Sequence, residues 1–230
     1  MNSMLKLLGA LLAYPEEPMI AALPQLRSLI ERDNSLPSKQ KSELQQFVSE
    51  LSTRDLLLCQ ENYVEIFDRG RTTSLHLFEH VHGESRDRGM AMIDLQKMYE
   101  SAGLALKPGE LPDYLPVVLE YLSTRSDTDA REMLEDCAHI LRKIGDALAG
   151  RGSRYSAVFA VLLVLANEPG LTPAEKRKPI REEKSLDEEW AEEPVVFGPG
   201  ASPGCGARQP QDAVIRFIPR GHSAFPGTGN

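Results

Sequence analysis

The helical class of this chain is clearest in residues 126–150, which read SDTDAREMLEDCAHILRKIGDALAG. Apolar side chains recur there every three or four residues, the spacing that brings them onto one face of an α-helix. Gly150 is a natural end for such a helix. The segment therefore predicts a long amphipathic helix, with a buried face made of Met133, Leu134, Cys137, Ile140, Leu141 and Ile144.

The following segment, RYSAVFAVLLVLANEPG at residues 154–170, is apolar on all sides. A helix with this composition is usually buried at the centre of a domain. Its apolar stretch, residues 157–166, is shorter than the roughly 20 residues that span a bilayer. We expect a central core helix and no direct insertion into a membrane.

Helical periodicity extends from these segments back to the N-terminus, and no alternating strand pattern of useful length appears before residue 190. Leu57 begins one apolar face, in a helix that we expect to end at Gly70. Pro112 is expected in the first turn of a later helix. The sequence predicts an all-α fold, a single helical bundle of eight or nine helices that occupies residues 1–170.

Composition restricts the possible functions. The chain has 230 residues and a formal net charge of −8, which argues against nucleic-acid binding because that needs clustered Lys and Arg. Its three cysteines lie far apart, with no C-x-x-C spacing. The lack of a targeting pattern at the N-terminus predicts a cytoplasmic protein.

The composition changes near residue 171. Residues 182–193 contain seven acidic side chains and one Lys, and residues 194–210 contain eight Gly or Pro. Such a segment buries too little apolar surface to offset its loss of conformational entropy on ordering. We expect residues 171–230 to form a flexible tail, acidic at first and then rich in Gly and Pro.

Three of the five histidines fall within residues 73–89, TSLHLFEHVHGESRDRG. On a helix, His76 and His80 would share a face. With His82 they could hold zinc, with Glu79 or Glu84 as the base of a metal-dependent hydrolase. The HExxH spacing is absent, however. A plain exposed cluster and a binding surface remain the other two interpretations.

A longer stretch carries a family resemblance. Residues 62–104, which include the histidine cluster, and the later stretch GELPDYLPVVLEYLS, residues 109–123, resemble the nitrate reductase molybdenum cofactor assembly chaperones of the NarJ/NarW type. These belong to the TorD/DmsD-like redox-enzyme maturation chaperones. The resemblance covers about residues 3–168. Related chaperones carry a Glu-Pro-x-Asp-His motif, whereas residues 110–114 here read ELPDY, with the proline displaced and the histidine replaced by Tyr114.

The resemblance implies an all-helical chaperone with no catalytic residue, no metal and no cofactor. Its partner would be the apo catalytic (alpha) subunit of membrane-bound nitrate reductase, held through its N-terminal peptide while the molybdenum cofactor is inserted and membrane docking is delayed. Proteins that deliver the molybdenum cofactor could be further partners. A helical adaptor for another acceptor is the remaining alternative to a chaperone or a hydrolase.

The client peptide is expected to combine basic residues with an apolar helix. Apolar side chains would form its groove, and carboxylates would receive its arginines. The candidate client-binding residues are Tyr63, Phe67, Asp68, His76, Leu77, Phe78, Glu79, His80, Asp87, Met92, Glu110, Pro112, Asp113, Tyr114, Leu119 and Glu120, while Arg86 and Arg88 are expected to brace the groove through Glu84, Asp87 or Asp68.

Overall fold

The computed structural model of the chain describes residues 1–81 and 86–172, without the side chains of residues 86 and 87. Within these ranges the fold is all-α and contains no strand, which confirms the predicted class. Two 3-10 helices, Arg71–Thr73 and Leu77–His80, lie between the fourth and the fifth α-helix. The eight α-helices are α1 (Asn2–Leu12), α2 (Glu17–Arg32), α3 (Ser38–Thr53), α4 (Leu56–Phe67), α5 (Arg86–Ser101), α6 (Leu115–Leu122), α7 (Asp127–Gly150) and α8 (Ser156–Leu165).

The core is built around α8. Nine of its ten side chains are apolar, and nearly all of them are buried between α7 and α3. The predicted apolar face of α7 is buried as well, apart from the half-buried Met133. Ser126 caps the N-terminus of α7, where its Oγ accepts a hydrogen bond of 3.1 Å from the amide of Asp129. The 3.6-residue period therefore predicted the inner face of α7 correctly, and the continuous apolar run predicted α8 as the buried helix.

Helix α1 packs closely against α6. A Cβ atom at Gly9 would lie 3.3 Å from both Leu119 Cβ and the Pro116 carbonyl oxygen. The small residue lets the two helix backbones approach each other, and the flanking side chains of α1, Leu8 and Leu11, are fully buried. Helix α1 is therefore part of the core.

Three local expectations were wrong. Helix α6 begins at Leu115, with Pro116 in its first turn, whereas Pro112 lies in the preceding loop. Helix α4 ends at Phe67 and is capped by Asp68 in place of Gly70. Leu57 is 61% exposed, because the buried face of α4 runs instead through Cys59, Tyr63, Ile66 and Phe67.

A short segment after α8, residues 168–172, is fastened along α7. Arg142 donates a 2.5 Å hydrogen bond to the Gly170 carbonyl, and the amide of Thr172 donates to Asp146 Oδ1 at 2.7 Å. Leu171 lies over Gly145. The described part of the helical domain thus ends at a fixed point on α7, while the tail expected from residue 171 falls, from residue 173 onward, outside the described residues.

No helix of residues 1–81 and 86–172 combines the length and the apolar character needed to cross a bilayer.

The contact at Gly145 leads to a stability prediction. A Cβ there would lie 2.8 Å from Phe159 Cβ and 2.5 Å from Leu171 Cδ2, so Gly145→Ala should lower the free energy of unfolding by about 1–3 kcal/mol through overpacking. Gly89→Ala on α5 is the matched control, because its Cβ would meet nothing within 4 Å and alanine favours helix. Urea unfolding of both variants checks this, and an unchanged Gly145→Ala would contradict it.

Candidate functional site

Residues 74–81, which contain His76 and His80, do not form the α-helix on which the two histidines would share a face. His76 has an extended backbone and lies in an isolated antiparallel bridge with Tyr114. Two backbone hydrogen bonds secure it: the Leu115 amide donates to the Leu75 carbonyl at 2.9 Å, and the Leu77 amide donates to the Asp113 carbonyl at 3.1 Å. His76 and His80 therefore do not share a helix face.

The segment before His76 is held by buried hydroxyl groups. Thr73 is fully buried and its Oγ1 donates to the carbonyl of Ile66 at the end of α4. Ser74 Oγ accepts from the amide of His76 at 3.2 Å, and the Ser74 carbonyl accepts from His80 Nε2 at 2.9 Å. These local bonds satisfy backbone groups that a helix would otherwise pair.

The carboxylate of Asp113 is at the centre of the site and has no solvent exposure. Its Oδ2 accepts from the amide of Phe78 at 3.2 Å, and its Oδ1 lies 3.1 Å from His76 Nδ1. A third group, Arg88 on α5, places Nη2 3.9 Å from Oδ2. Burial of a carboxylate is costly unless hydrogen bonds and positive charge compensate for it, and these three groups provide both.

Arg88 bridges two carboxylates. Besides Asp113, its Nη2 lies 3.7 Å from Glu79 Oε1. Glu79 and Asp113 are the partners of Arg88 among the described side chains, and Asp68 is not one of them; the expected partners Glu84 and Asp87 fall outside the described side chains. Arg88 thus links α5 to the loop before α6 through Asp113.

The two histidines have opposite electrostatic surroundings. The hydrogen bond to Asp113 raises the pKa of His76, and the nearby Glu79 carboxylate adds to this effect. Burial lowers the pKa of His80, even though its ring donates to the Ser74 carbonyl. Of these two histidines, His76 therefore takes up a proton more readily.

Tyr114 connects this cluster to the core. Its ring lies against that of His76, with centroids 5.4 Å apart, and its hydroxyl lies 2.7 Å from that of Tyr63. Tyr63 in turn donates to the carbonyl of Leu12 at 2.9 Å. Burial raises the pKa of Tyr114, and the negative charges of Asp68 and Glu110 raise it further.

The candidate residues fall into groups. His76 contacts both Tyr114 and Asp113, and Glu79 shares Arg88 with Asp113. The charges of Asp68 and Glu110 act on Tyr114. Apart from Met92, the apolar candidates and Pro112 are core residues in this conformation, so a peptide could reach them only if the packed elements separated; these are Tyr63, Phe67, Leu77, Phe78, Pro112 and Leu119.

The remaining candidates lie elsewhere. Leu119 and the exposed Glu120 belong to the side of α6 that meets α1 at Gly9. Met92 is half-buried on α5. His82, Glu84 and the side chain of Asp87 lie outside the described part of the structure.

Two residues of the site were missed. Ser74 organises the turn through its hydroxyl and its carbonyl, and Tyr99 donates a 2.7 Å hydrogen bond to the carbonyl of Pro112, next to Asp113. The run Thr-Thr-Ser before His76 is a sequence signal for local side-chain capping. Nothing in the sequence near Tyr99 indicates its partner.

The hydrolase alternative finds little support in this geometry. His76 directs Nδ1 to Asp113, whereas His80 directs Nε2 to the Ser74 carbonyl. Within residues 1–81 and 86–172, no three His, Cys, Asp or Glu side chains are grouped as metal ligands would be. The third proposed ligand, His82, is not among those residues.

The family described as nitrate reductase delta subunit matches residues 31–161. The chain belongs to this family. It is 42% identical over 208 residues to the nitrate reductase molybdenum cofactor assembly chaperone NarJ of Escherichia coli K12, which covers 88% of this chain and 87% of that protein.

Two further relatives agree. The probable chaperone NarW of the same strain is 43% identical over 198 residues, or 84% of this chain and 83% of the relative. The probable NarJ of Bacillus subtilis is 30% identical over 164 residues, or 71% and 88%. These relatives are named as assembly chaperones, not as enzymes. The alignment with NarJ of Escherichia coli K12 covers 88% of this chain, which is more than residues 3–168 could provide. The similarity therefore extends beyond the range over which the resemblance was expected.

The histidines lead to a prediction on stability and pH. The pKa of His76 is raised in the folded state, so its contribution is complete below the unfolded pKa of about 6.5 and is lost as the pH rises through the folded value. The stability difference between wild type and His76→Gln should therefore be larger at pH 6 than at pH 8.5. Urea unfolding at both values measures it.

His80→Gln provides the control with the opposite sign. Because the folded pKa of His80 is lowered, the unfolded chain binds the proton more readily, and the contribution of His80 decreases as the pH falls below about 6.5. Parallel pH profiles for the two variants would contradict both assignments.

Proposed function

We propose that this chain is a dedicated chaperone for the assembly of respiratory nitrate reductase. It binds the N-terminal segment of the apo catalytic subunit, promotes insertion of the molybdenum cofactor and delays membrane docking until maturation is complete. The observation that carries the proposal is the 42% identity, over most of both chains, to a protein named for this assembly step. A chaperone that acts before docking works in the cytoplasm, alongside the proteins that deliver the cofactor.

The acidic rim is the proposed site for the basic residues of the client. We use this name for Asp68, Glu79 and Glu110, the carboxylates around His76 and Tyr114. Asp68 and Glu79 are exposed and Glu110 is half-buried, so a peptide could reach all three without unfolding the domain. A guanidinium group pairs with carboxylates through two parallel hydrogen bonds, which favours arginine in such a position.

The apolar part of the client would use α5. Met90 is 58% exposed and Ile93 is 47% exposed, and residues three apart lie on the same side of a helix. Leu111, two residues before Asp113, is 45% exposed. Methionine adapts to differently shaped partners, and an amphipathic helix binds through apolar anchors of this spacing. This surface replaces the groove walls expected from residues that are in fact buried.

The acidic rim can be tested with a synthetic peptide of the N-terminal residues of the nitrate reductase catalytic subunit. The double variant Asp68→Asn, Glu110→Gln should bind it about tenfold more weakly, because each exposed ion pair contributes up to about 1 kcal/mol and tenfold corresponds to 1.4 kcal/mol. Titration calorimetry measures the affinity. Glu120→Gln is the matched control, since it removes one carboxylate from the α1 side of α6.

Saturable binding by wild type and by Glu120→Gln, weakened in the double variant, is the expected result. Equal affinity of all three proteins would remove the acidic rim from the site. No binding by wild type at high micromolar peptide would contradict the proposed function itself.

A pH dependence of binding follows from the same geometry. When protonated, His76 places positive charge beside Glu79 and Asp113 and opposes a cationic peptide. Because the pKa of His76 is raised, affinity should increase as the pH rises from 6 to 8.5. His76→Gln should flatten this dependence, and calorimetry at the two pH values tests it. A variant that keeps the wild-type pH dependence would exclude His76 as its source.

A further inference from the structure

Arg88 is held loosely by two carboxylates. Its Nη2 lies 3.7 Å from Glu79 and 3.9 Å from Asp113, whereas charge-assisted hydrogen bonds measure about 2.7–2.9 Å. The guanidinium group therefore neutralises the two acids through proximity, without the paired hydrogen bonds of which it is capable. Its side chain is 27% exposed and that of Glu79 is 30% exposed, so solvent reaches this end of the cluster.

The second half of α5 is packed into the domain more firmly than the first half. Its C-terminal half is fixed by the buried Leu95 and by Tyr99, whose ring lies 5.0 Å from that of Tyr121 and whose hydroxyl bonds the Pro112 carbonyl. In the first half, from Arg88 to Asp94, no described side chain is fully buried. Arg88 joins the first half of α5 to two carboxylates outside the helix, those of Glu79 and Asp113.

Asp113 cannot readily lose its cation. A fully buried carboxylate without a positive partner is strongly disfavoured, and exchange of one guanidinium for another avoids that state. An incoming arginine able to form two short hydrogen bonds would gain contacts that Arg88 does not make. Exchange of the cation at Asp113 therefore favours a guanidinium-bearing partner.

We propose that Arg88 is an internal stand-in for an arginine of the client. It occupies Glu79 and Asp113 while the site is empty, and the client's arginine displaces it, so that the first half of α5 loses its charged tether to the loop before α6. The inference rests on the proposed function and deepens it, because it names Arg88 as the group that sets both the affinity and the arginine specificity of the site.

The test compares wild type, Arg88→Gln and Lys97→Gln by calorimetry against the N-terminal peptide of the catalytic subunit. Arg88→Gln removes the competitor and should bind about three- to tenfold more tightly, since a pre-emptied site avoids the displacement cost. Lys97→Gln removes one positive charge from the same helix, where Lys97 pairs only weakly with Asp94 at 3.8 Å, and should bind like wild type.

A second peptide, with its arginines changed to glutamine, isolates the exchange. With it the advantage of Arg88→Gln should disappear, which a general loosening of α5 would not produce. A third measurement needs no variant: in wild type, the arginine reagent phenylglyoxal should modify Arg88 faster when the peptide is bound, while Arg125, stacked over Tyr121, reacts at an unchanged rate.

The outcomes separate the two proposals. If wild type binds the peptide but Arg88→Gln binds no more tightly, or gains equally for both peptides, the stand-in role is overturned and the proposed function is retained. If Arg88→Gln does not fold, faster modification of Arg88 in wild type supports the exchange and slower or unchanged modification overturns it. If no protein binds the peptide, the proposed function itself fails.

Discussion

The site depends on one buried negative charge. Asp113 has no contact with solvent, and three groups from earlier in the chain meet its charge: the Phe78 amide, the His76 imidazole and the Arg88 guanidinium. The bridge between His76 and Tyr114 aligns the backbone so that the Phe78 amide reaches the carboxylate. Loss of the charge would leave these donors without their acceptor, so the loop before α6, the 3-10 helix and α5 are energetically coupled through a single side chain.

Helices with a strong apolar period were predictable and those without one were less so. In α7 and α8 the pattern of burial follows the sequence, because both pack along their whole length. In residues 75–80 the helical spacing of His76 and His80 was misleading, since tertiary hydrogen bonds to Asp113 and Tyr114 outweighed local preference. Pro112 was expected in the first turn of α6 but lies in the loop before it. Pro116 fits the first turn equally well, and the sequence does not distinguish the two prolines.

The neighbourhood of the site was predictable but its depth was not. Tyr63, His76, Asp113 and Tyr114 do lie in contact with one another. An aspartate is normally expected at the surface, however, and nothing in the string ELPDY indicates that Asp113 is buried while Glu110 is half-buried. Burial depends on which side chains from other helices surround a position. That information is present in the packing of α4 and α5 around the loop, not in the spacing of the residues themselves.

The close packing of α1 on α6 has a consequence for biosynthesis. Helix α1 is strongly apolar, and its main partner, α6, follows it by about a hundred residues. At about 5–20 residues per second, the surface that α6 covers stays exposed for about 5–20 seconds during synthesis. A chain proposed to bind the N-terminal segment of another protein thus exposes an apolar N-terminal segment of its own during translation, until the helices that pack against it have been synthesised.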